Sequence, residues 1–241
     1  MDNPDRQQAK TGKVIVTKDG PCLVSGGLPL AKEIIVNDDN EGCPTGWAPG
    51  EKYPDRETYA LCRCGESSHK PFCDGTHATV AFDGTETASR QEHLERAETV
   101  GGKDIALLDV QNFCARARFC QQGRGIWQIA ASQKDAKGRA RAEKIAGQCP
   151  AGRLVIRDKA KETLVEPLFD PSISLIEDPH KRVSGGIWLK GGVALESADG
   201  NAYETRNRVT LCRCGKSANK PFCDGAHIDS RFDDGDESLK Q

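Results

Sequence analysis

Two stretches decide how this chain is read: "CRCGESSHKPFCDGTH" at residues 62–77 and "CRCGKSANKPFCDGAH" at residues 212–227. Cys62 and Cys64 are two apart, so on an extended backbone their sulfurs point to the same side. Cys73 and His77 are four apart, which puts them on one face of a helical turn. Two ligand pairs thus approach one point from two backbone elements. Cys212, Cys214, Cys223 and His227 repeat the arrangement. Asp74 is a suitable cap for the turn, and Gly75 keeps the backbone open where a bulky cofactor would sit.

Two metal centres compete for this donor set. Structural zinc accepts three cysteines and a histidine, but its first pair is usually Cys-x2–4-Cys, and Cys-x-Cys is short for wrapping one tetrahedral ion. A 2Fe–2S rhomb offers two irons, one for each pair. Spacing favours iron–sulfur and leaves zinc open.

The repetition reaches beyond the loops. "VIVTKDGPCLVSGGLPL" (14–30) aligns without gaps to "ISLIEDPHKRVSGGIWL" (173–189). The offset is 159 there and 150 at the loops, so the first copy holds nine extra residues, within "NDDNEGCPTGWAPGEKYP". Alternation at Val14/Val16 and Ile173/Leu175 predicts short strands, and Gly26–Gly27 and Gly185–Gly186 predict turns or bulges. "YALCRC" and "VTLCRC" predict a strand leading into each loop. Between the copies, "SRQEHLERAE" and "KDAKGRARAEKIAGQ" read as helices, the second stopped by Gly147 and Pro150. The tail "DDGDESLKQ" reads as frayed.

Composition limits the functions on offer. With 34 basic and 36 acidic side chains, the net charge of −2 gives no electrostatic case for nucleic acid or an anionic membrane. Aromatics at 5% are thin for one large core, so metals reinforcing small units are expected. The start "MDNPDRQQAKTGK" has no apolar signal region, and runs such as "IALL" are far too short to span a bilayer. Eleven cysteines, an odd number, six of them in the two loops, point to thiolate ligands in a reducing, cytoplasmic setting rather than to disulfides.

Both loops resemble the signature of the CDGSH iron–sulfur family, the mitoNEET-like proteins. They match at Ser67/Ser217, Pro71/Pro221, Asp74/Asp224 and Gly75/Gly225 as well as at the ligands. The resemblance implies two 2Fe–2S clusters. In the first, Cys62 and Cys64 would hold one iron and Cys73 and His77 the other; in the second, Cys212 and Cys214 would hold one and Cys223 and His227 the other. It also implies intertwined pairs of motifs. We therefore expect an α+β protein of two small β-rich repeats, 1–85 and 169–241, forming an internal pseudo-dimer about a pseudo-twofold axis. A ferredoxin-like insert, 86–168, lies between them. The chain is expected to be monomeric.

The insert is similar to the divergent mono-cluster ferredoxin family. "FCARARFC" supplies Cys114 and Cys120 with Ala117 where a central cysteine would stand, and "QCPAGRL" supplies Cys149. Three cysteines could hold a 3Fe–4S cluster, or a 4Fe–4S cluster with a non-cysteine fourth ligand. The competing reading is a domain that has lost its cluster and buries them as small apolar groups. Cys22 and Cys43 have no counterparts in the second copy and read as ordinary thiols. His69, facing Asn219, is not expected to ligate, and His93 and His180 read as solvated. Arg63/Arg213 and Lys70/Lys220 serve either cluster charge or solubility.

No nucleophile–base pair, phosphate loop or substrate pocket is visible, so an enzyme is not expected. One imidazole among three thiolates makes a cluster less negative, which raises its potential above that of a plant-type ferredoxin and makes it acid-labile. Electron transfer to redox proteins is the first expectation. Storage or transfer of a labile cluster to apo-acceptors, or redox and iron sensing, is the alternative.

Overall fold

The computed structural model describes residues 12–38 and 42–240, so the readings of the polar start and of the last residue lie outside it. The first copy gives β1 (Lys13–Val16), β2 (Cys22–Ser25), β3 (Leu30–Asn37), β4 (Pro44–Lys52), β5 (Thr58–Leu61) and, after its loop, the single turn α1 (Thr76–Thr79). The middle segment gives α2 (His93–Arg96), β6 (Glu98–Gly101), β7 (Ile105–Asp109), α3 (Ile126–Ala131), α4 (Ala136–Gly147), β8 (Leu154–Asp158) and β9 (Thr163–Val165). The second copy gives β10 (Ser172–Asp178), β11 (Val183–Lys190), β12 (Ala194–Glu196), β13 (Arg208–Leu211) and the turn α5 (Ala226–Asp229). The class is α+β, mostly sheet.

Alternation builds the strands as expected. Val14 and Val16 of β1 are buried while Lys13 points to solvent. From Ile173 onward β10 is buried throughout, because it is an interior strand.

Strand pairing crosses between the copies. One sheet runs β12-β1-β2-β5 and the other β13-β11-β10-β3-β4. β12 of the second copy lies parallel to β1 of the first, with Leu195 opposite Val14. Reciprocally, β3 of the first copy lies parallel to β10 of the second, with Lys32 opposite Leu175. The first copy's sheet is completed by one strand of the second copy, β12, and the second copy's sheet by two strands of the first, β3 and β4.

Gly185–Gly186 form the expected bulge: both stand opposite Ile176, between the pairs Leu175–Ile187 and Glu177–Ser184. A β-carbon on Gly186 would lie 2.5 Å from the Leu211 carbonyl oxygen, which excludes any side chain there. Gly26 and Gly27 take the left-handed turn. The nine-residue excess is a strand, β4, rather than a loop. It pairs with β3 and aims Trp47 at Trp188 and Phe119, with ring centroids 5.0 and 4.8 Å apart.

The main core is common property. It joins Val14, Val16 and Leu61 of the first copy to Leu175, Ile187 and Leu211 of the second, with Val110, Phe113 and Ala151 from the middle. The middle segment also has a core of its own, Ile105, Leu107, Ile129, Ile145 and Ile156, where α3 and α4 cover the sheet β6-β7-β8-β9. In α4 the buried positions Ala142, Ile145 and Ala146 follow helical spacing, and the Asp135 carboxylate caps it by accepting the Gly138 N–H at 2.7 Å.

Three expectations are corrected. "SRQEHLERAE" yields only one helical turn before β6 begins. His93 is buried, its ring stacked on Phe113 and its Nε2 3.1 Å from the Arg153 carbonyl oxygen. The tail is held rather than frayed: Asp234 pairs with Arg213, Asp236 with Lys32 at 2.5 Å, and Leu239 is buried. For the tail, charge partners that lie far away in sequence made the difference.

Candidate metal centres

Each loop is a tight hairpin on the end of a strand. In the first, the Cys62 N–H donates to the Pro71 carbonyl at 2.8 Å and the Cys73 N–H to the Ala60 carbonyl at 2.9 Å. In the second, Cys212 to Pro221 and Cys223 to Thr210 repeat both bonds at the same lengths. Cys73 and Cys223 therefore sit on the returning chain beside β5 and β13, not on a helix, which corrects the expected shared helical face. The histidines come from the turns α1 and α5.

Asp74 is not the capping residue; Gly75, with φ of 91°, holds that place. The carboxylate still ties the loop, accepting the Ser68 N–H at 2.8 Å and the Thr76 N–H at 3.0 Å. Asp224 does the same for Ala218 and Ala226. Those bonds hold the Asp74 carboxyl well below the usual carboxylate range. Ser67 and Ser217 cross the hairpins by donating to the carbonyls of Phe72 and Phe222, both at 2.7 Å.

The ligand atoms gather in pairs. Cys62 Sγ and Cys64 Sγ are 3.6 Å apart, and Cys212 Sγ and Cys214 Sγ 3.7 Å. Cys73 Sγ lies 3.3 Å from His77 Nδ1, and Cys223 Sγ 3.5 Å from His227 Nδ1. Two donors on one tetrahedral metal, with bonds of about 2.0–2.3 Å, stand roughly 3.5–3.8 Å apart. Three pairs have that spacing, and Cys73 with His77, at 3.3 Å, falls just inside it. Among the described residues, however, no three metal-binding side chains converge on a single ion.

The two loops lie against each other. A β-carbon on Gly65 would fall 2.8 Å from the Cys214 carbonyl oxygen, and one on Gly215 would fall 2.3 Å from that of Cys64. Both glycines have positive φ. Sequence reasoning passed over them, although both copies carry this glycine directly after the second cysteine.

Burial separates the sites. Cys62, Cys64, Cys212 and Cys214 are all buried, and so are Cys223 and His227, but Cys73 and His77 are half-exposed. Burial, helped by Arg213 and Arg116, pushes His227 down to about 4, so its imidazole is neutral and available as a donor. The hydrogen bond between Cys212 and Cys214 draws one thiol of this buried pair down and pushes the other up, so the pair gives up its first proton more readily than its second.

Arg63 and Arg213 are buried, which rules out a solubility role. Arg63 donates to the carbonyls of Gly20, Thr17 and Gly84. Arg213 holds the Gly185 and Ile176 carbonyls and the carboxylates of Glu177 and Asp234. Lys70 and Lys220 donate to the Ser67 and Ser217 carbonyls. Cys22 lies in the core, where burial raises its thiol to about 12, as an ordinary buried thiol requires.

Cys114, Cys120 and Cys149 line one small cleft together with Ala117, Phe119 and Arg153. The chain wraps around it through Arg116 and Arg118, whose φ angles of 52° and 67° are left-handed. Burial pushes the Cys120 thiol up to about 12, with Cys149 and Cys114 adding to the shift.

Among the described residues no helix is long and apolar enough to cross a membrane. No curated protein and no solved structure was found to match the chain. The family model described as iron-binding zinc finger, CDGSH type, matches residues 19–78 and 184–228, and the one described as divergent 4Fe-4S mono-cluster matches residues 100–159. The chain thus carries the CDGSH-type iron-binding segment twice, with a divergent mono-cluster ferredoxin segment set between the two copies.

Proposed function

We propose that the protein is an electron carrier in which each loop holds a 2Fe–2S cluster, in an internal pseudo-dimer made by the reciprocal loan of β3 and β12. The observation that carries this reading is the pairing of the donors. Each pair suits one metal, and among the described residues no triad suits a single ion, whereas one zinc would draw all four donors to one point. A bound rhomb supplies one-electron chemistry. Cys62 and Cys64 would hold one iron of the first cluster and Cys73 and His77 the other; Cys212 and Cys214, then Cys223 and His227, serve the second.

The rest of each site is positioning. Asp74 and Asp224 fix the approach to the histidines, and the Glu66 N–H points at Cys64 Sγ from 3.4 Å, a contact that favours the thiolate. Buried Arg63 anchors the first loop through three backbone carbonyls, and Arg213 anchors the second through two carbonyls and the carboxylates of Glu177 and Asp234. The contact between the loops through Gly65 and Gly215 leaves only backbone between the ligand segments, a short path for an electron.

Cys114, Cys120 and Cys149, which face one small cleft in the middle segment, would be the thiolates of a third centre, with Ala117 leaving the fourth position without a cysteine. The half-exposed pair Cys73 and His77 favours a second activity, cluster delivery to apo-acceptors. Redox titration followed by electron paramagnetic resonance tests the reading. Reversible reduction of both loop clusters without loss of iron supports the carrier. Passage of iron to an apo-ferredoxin on mixing supports delivery.

A further inference from the structure

The two loops are nearly identical in sequence and are treated differently by the rest of the chain. Over the second loop lies the arm 112–118. The Arg116 stem covers Gly225, where an added β-carbon would meet its Cγ at 2.4 Å, and its guanidinium pairs with Asp229 of the following turn at 3.0 Å. The Asn112 carbonyl accepts from the Asn219 side chain at 2.8 Å, and Phe113 packs edge-on against Phe222 at 5.1 Å. Cys223 and His227 end up 3% and 5% exposed.

Tyr53 packs edge-on against Phe72 of the first loop at 5.7 Å, with Arg56 above that ring, but among the described residues no side chain lies over Gly75 as Arg116 lies over Gly225. Among the described residues, no atom beyond its chain neighbours lies within 4 Å of the place a β-carbon on Gly75 would take. His77 instead forms part of the wall of an open cleft with Lys18, Asp19, Phe82, Asp83 and Thr85.

We propose that the loops divide the work: the first, with half-exposed Cys73 and His77, is the site from which a cluster passes to an outside acceptor, and the second, latched by Arg116, retains its own. In the release step the iron bonds to Cys62, Cys64, Cys73 and His77 break and bonds to the acceptor's thiolates form. The rhomb moves whole and no electron is gained or lost. The first loop is suited to this because an incoming thiolate can reach the iron on its outer pair without displacing protein. At the second loop the arm must lift first.

The inference rests on the reading that both loops hold clusters, and the two can fail separately. The full-length protein, its clusters confirmed by iron and sulfide assay, is mixed with an iron chelator at neutral pH and followed by visible absorption. Loss from the two loops, read in protein whose Cys114, Cys120 and Cys149 are replaced by serine, should occur in two phases, the slower by about tenfold, the factor that 1.4 kcal/mol of cover would give. His77→Cys should alter the band lost in the fast phase and leave the slow one as it was; His227→Cys should do the reverse. Arg116→Ala should accelerate only the slow phase, and Asp229→Ala should reproduce it from the other side of the ion pair. A single phase, a fast phase that follows His227, or a slow phase indifferent to both latch variants overturns the division. An assay that finds no sulfide-bridged iron in the loops overturns the underlying reading instead.

Discussion

The contact between the two loops can be tested with a single methyl group. Gly215 has φ of 76°, and a β-carbon there would lie 2.3 Å from the Cys64 carbonyl oxygen, an overlap with backbone that no rotamer can relieve. Gly215→Ala therefore carries two costs. The left-handed backbone costs a non-glycine residue about 1–2 kcal/mol. Forcing the loops apart adds about 1–3 kcal/mol, as overpacking does elsewhere. Gly75→Ala separates the two costs, since its φ is 91° but nothing stands within 4 Å of the new carbon. The difference between the variants is about 2 kcal/mol, or about 4–8 °C in Tm for a chain of this length. The assay is thermal unfolding by far-ultraviolet circular dichroism, with both cluster-loaded variants run at one scan rate. Equal shifts for Gly215→Ala and Gly75→Ala would refute the placement of one loop against the other.

Four further outcomes follow from the same structure. Burial raises the Glu177 carboxyl from an ordinary 4.5 to about 7 against the pull of Arg213, with Asp234 adding to the rise. The native state then binds a proton that the unfolded chain lacks, so this contribution is complete below about 4.5 and is lost as pH rises to about 7. Urea unfolding across that range should show Glu177→Gln gaining on the parent as pH rises, by up to about 3 kcal/mol; a constant gap contradicts it. Replacing His77 or His227 by cysteine should lower the potential of that cluster by on the order of 100 mV in spectroelectrochemical titration, because a thiolate brings charge that imidazole does not. Leu175→Ala, in the core shared by both copies, should cost about 2–5 kcal/mol and release both loop clusters in one thermal transition; separate losses would mean separate cores. Ala117→Cys should add about one iron per chain by supplying the missing thiolate of the central cleft, measured by iron assay.

Much of this was legible in the sequence because the signals were local. Val14/Val16 and Ile173/Leu175 alternate, so the strands could be read, and the hairpin bearing Cys62, Cys64, Cys73 and His77 is closed by its own serine, aspartate and proline positions. What escaped was decided at long range. Nothing in "PTGWAPGEK" says that this segment becomes β4, whose Trp47 finds Trp188 and Phe119 only after folding. Arg213 read equally as cluster charge or as surface solubility until Glu177 and Asp234 arrived from both sides of it in sequence. His93 looked solvated until Arg153 and Phe113 enclosed it. The unequal burial of His77 and His227 could not be seen in two matching motifs, because the arm that makes the difference belongs to the middle segment.

The most direct test is chemical analysis of anaerobically prepared protein in which Cys114, Cys120 and Cys149 are replaced by serine, so that only the two loops report. The account predicts about four irons and about four acid-labile sulfides per chain, silent in electron paramagnetic resonance when oxidised and visible after one-electron reduction of each cluster. Zinc in place of iron, with no sulfide, would contradict it.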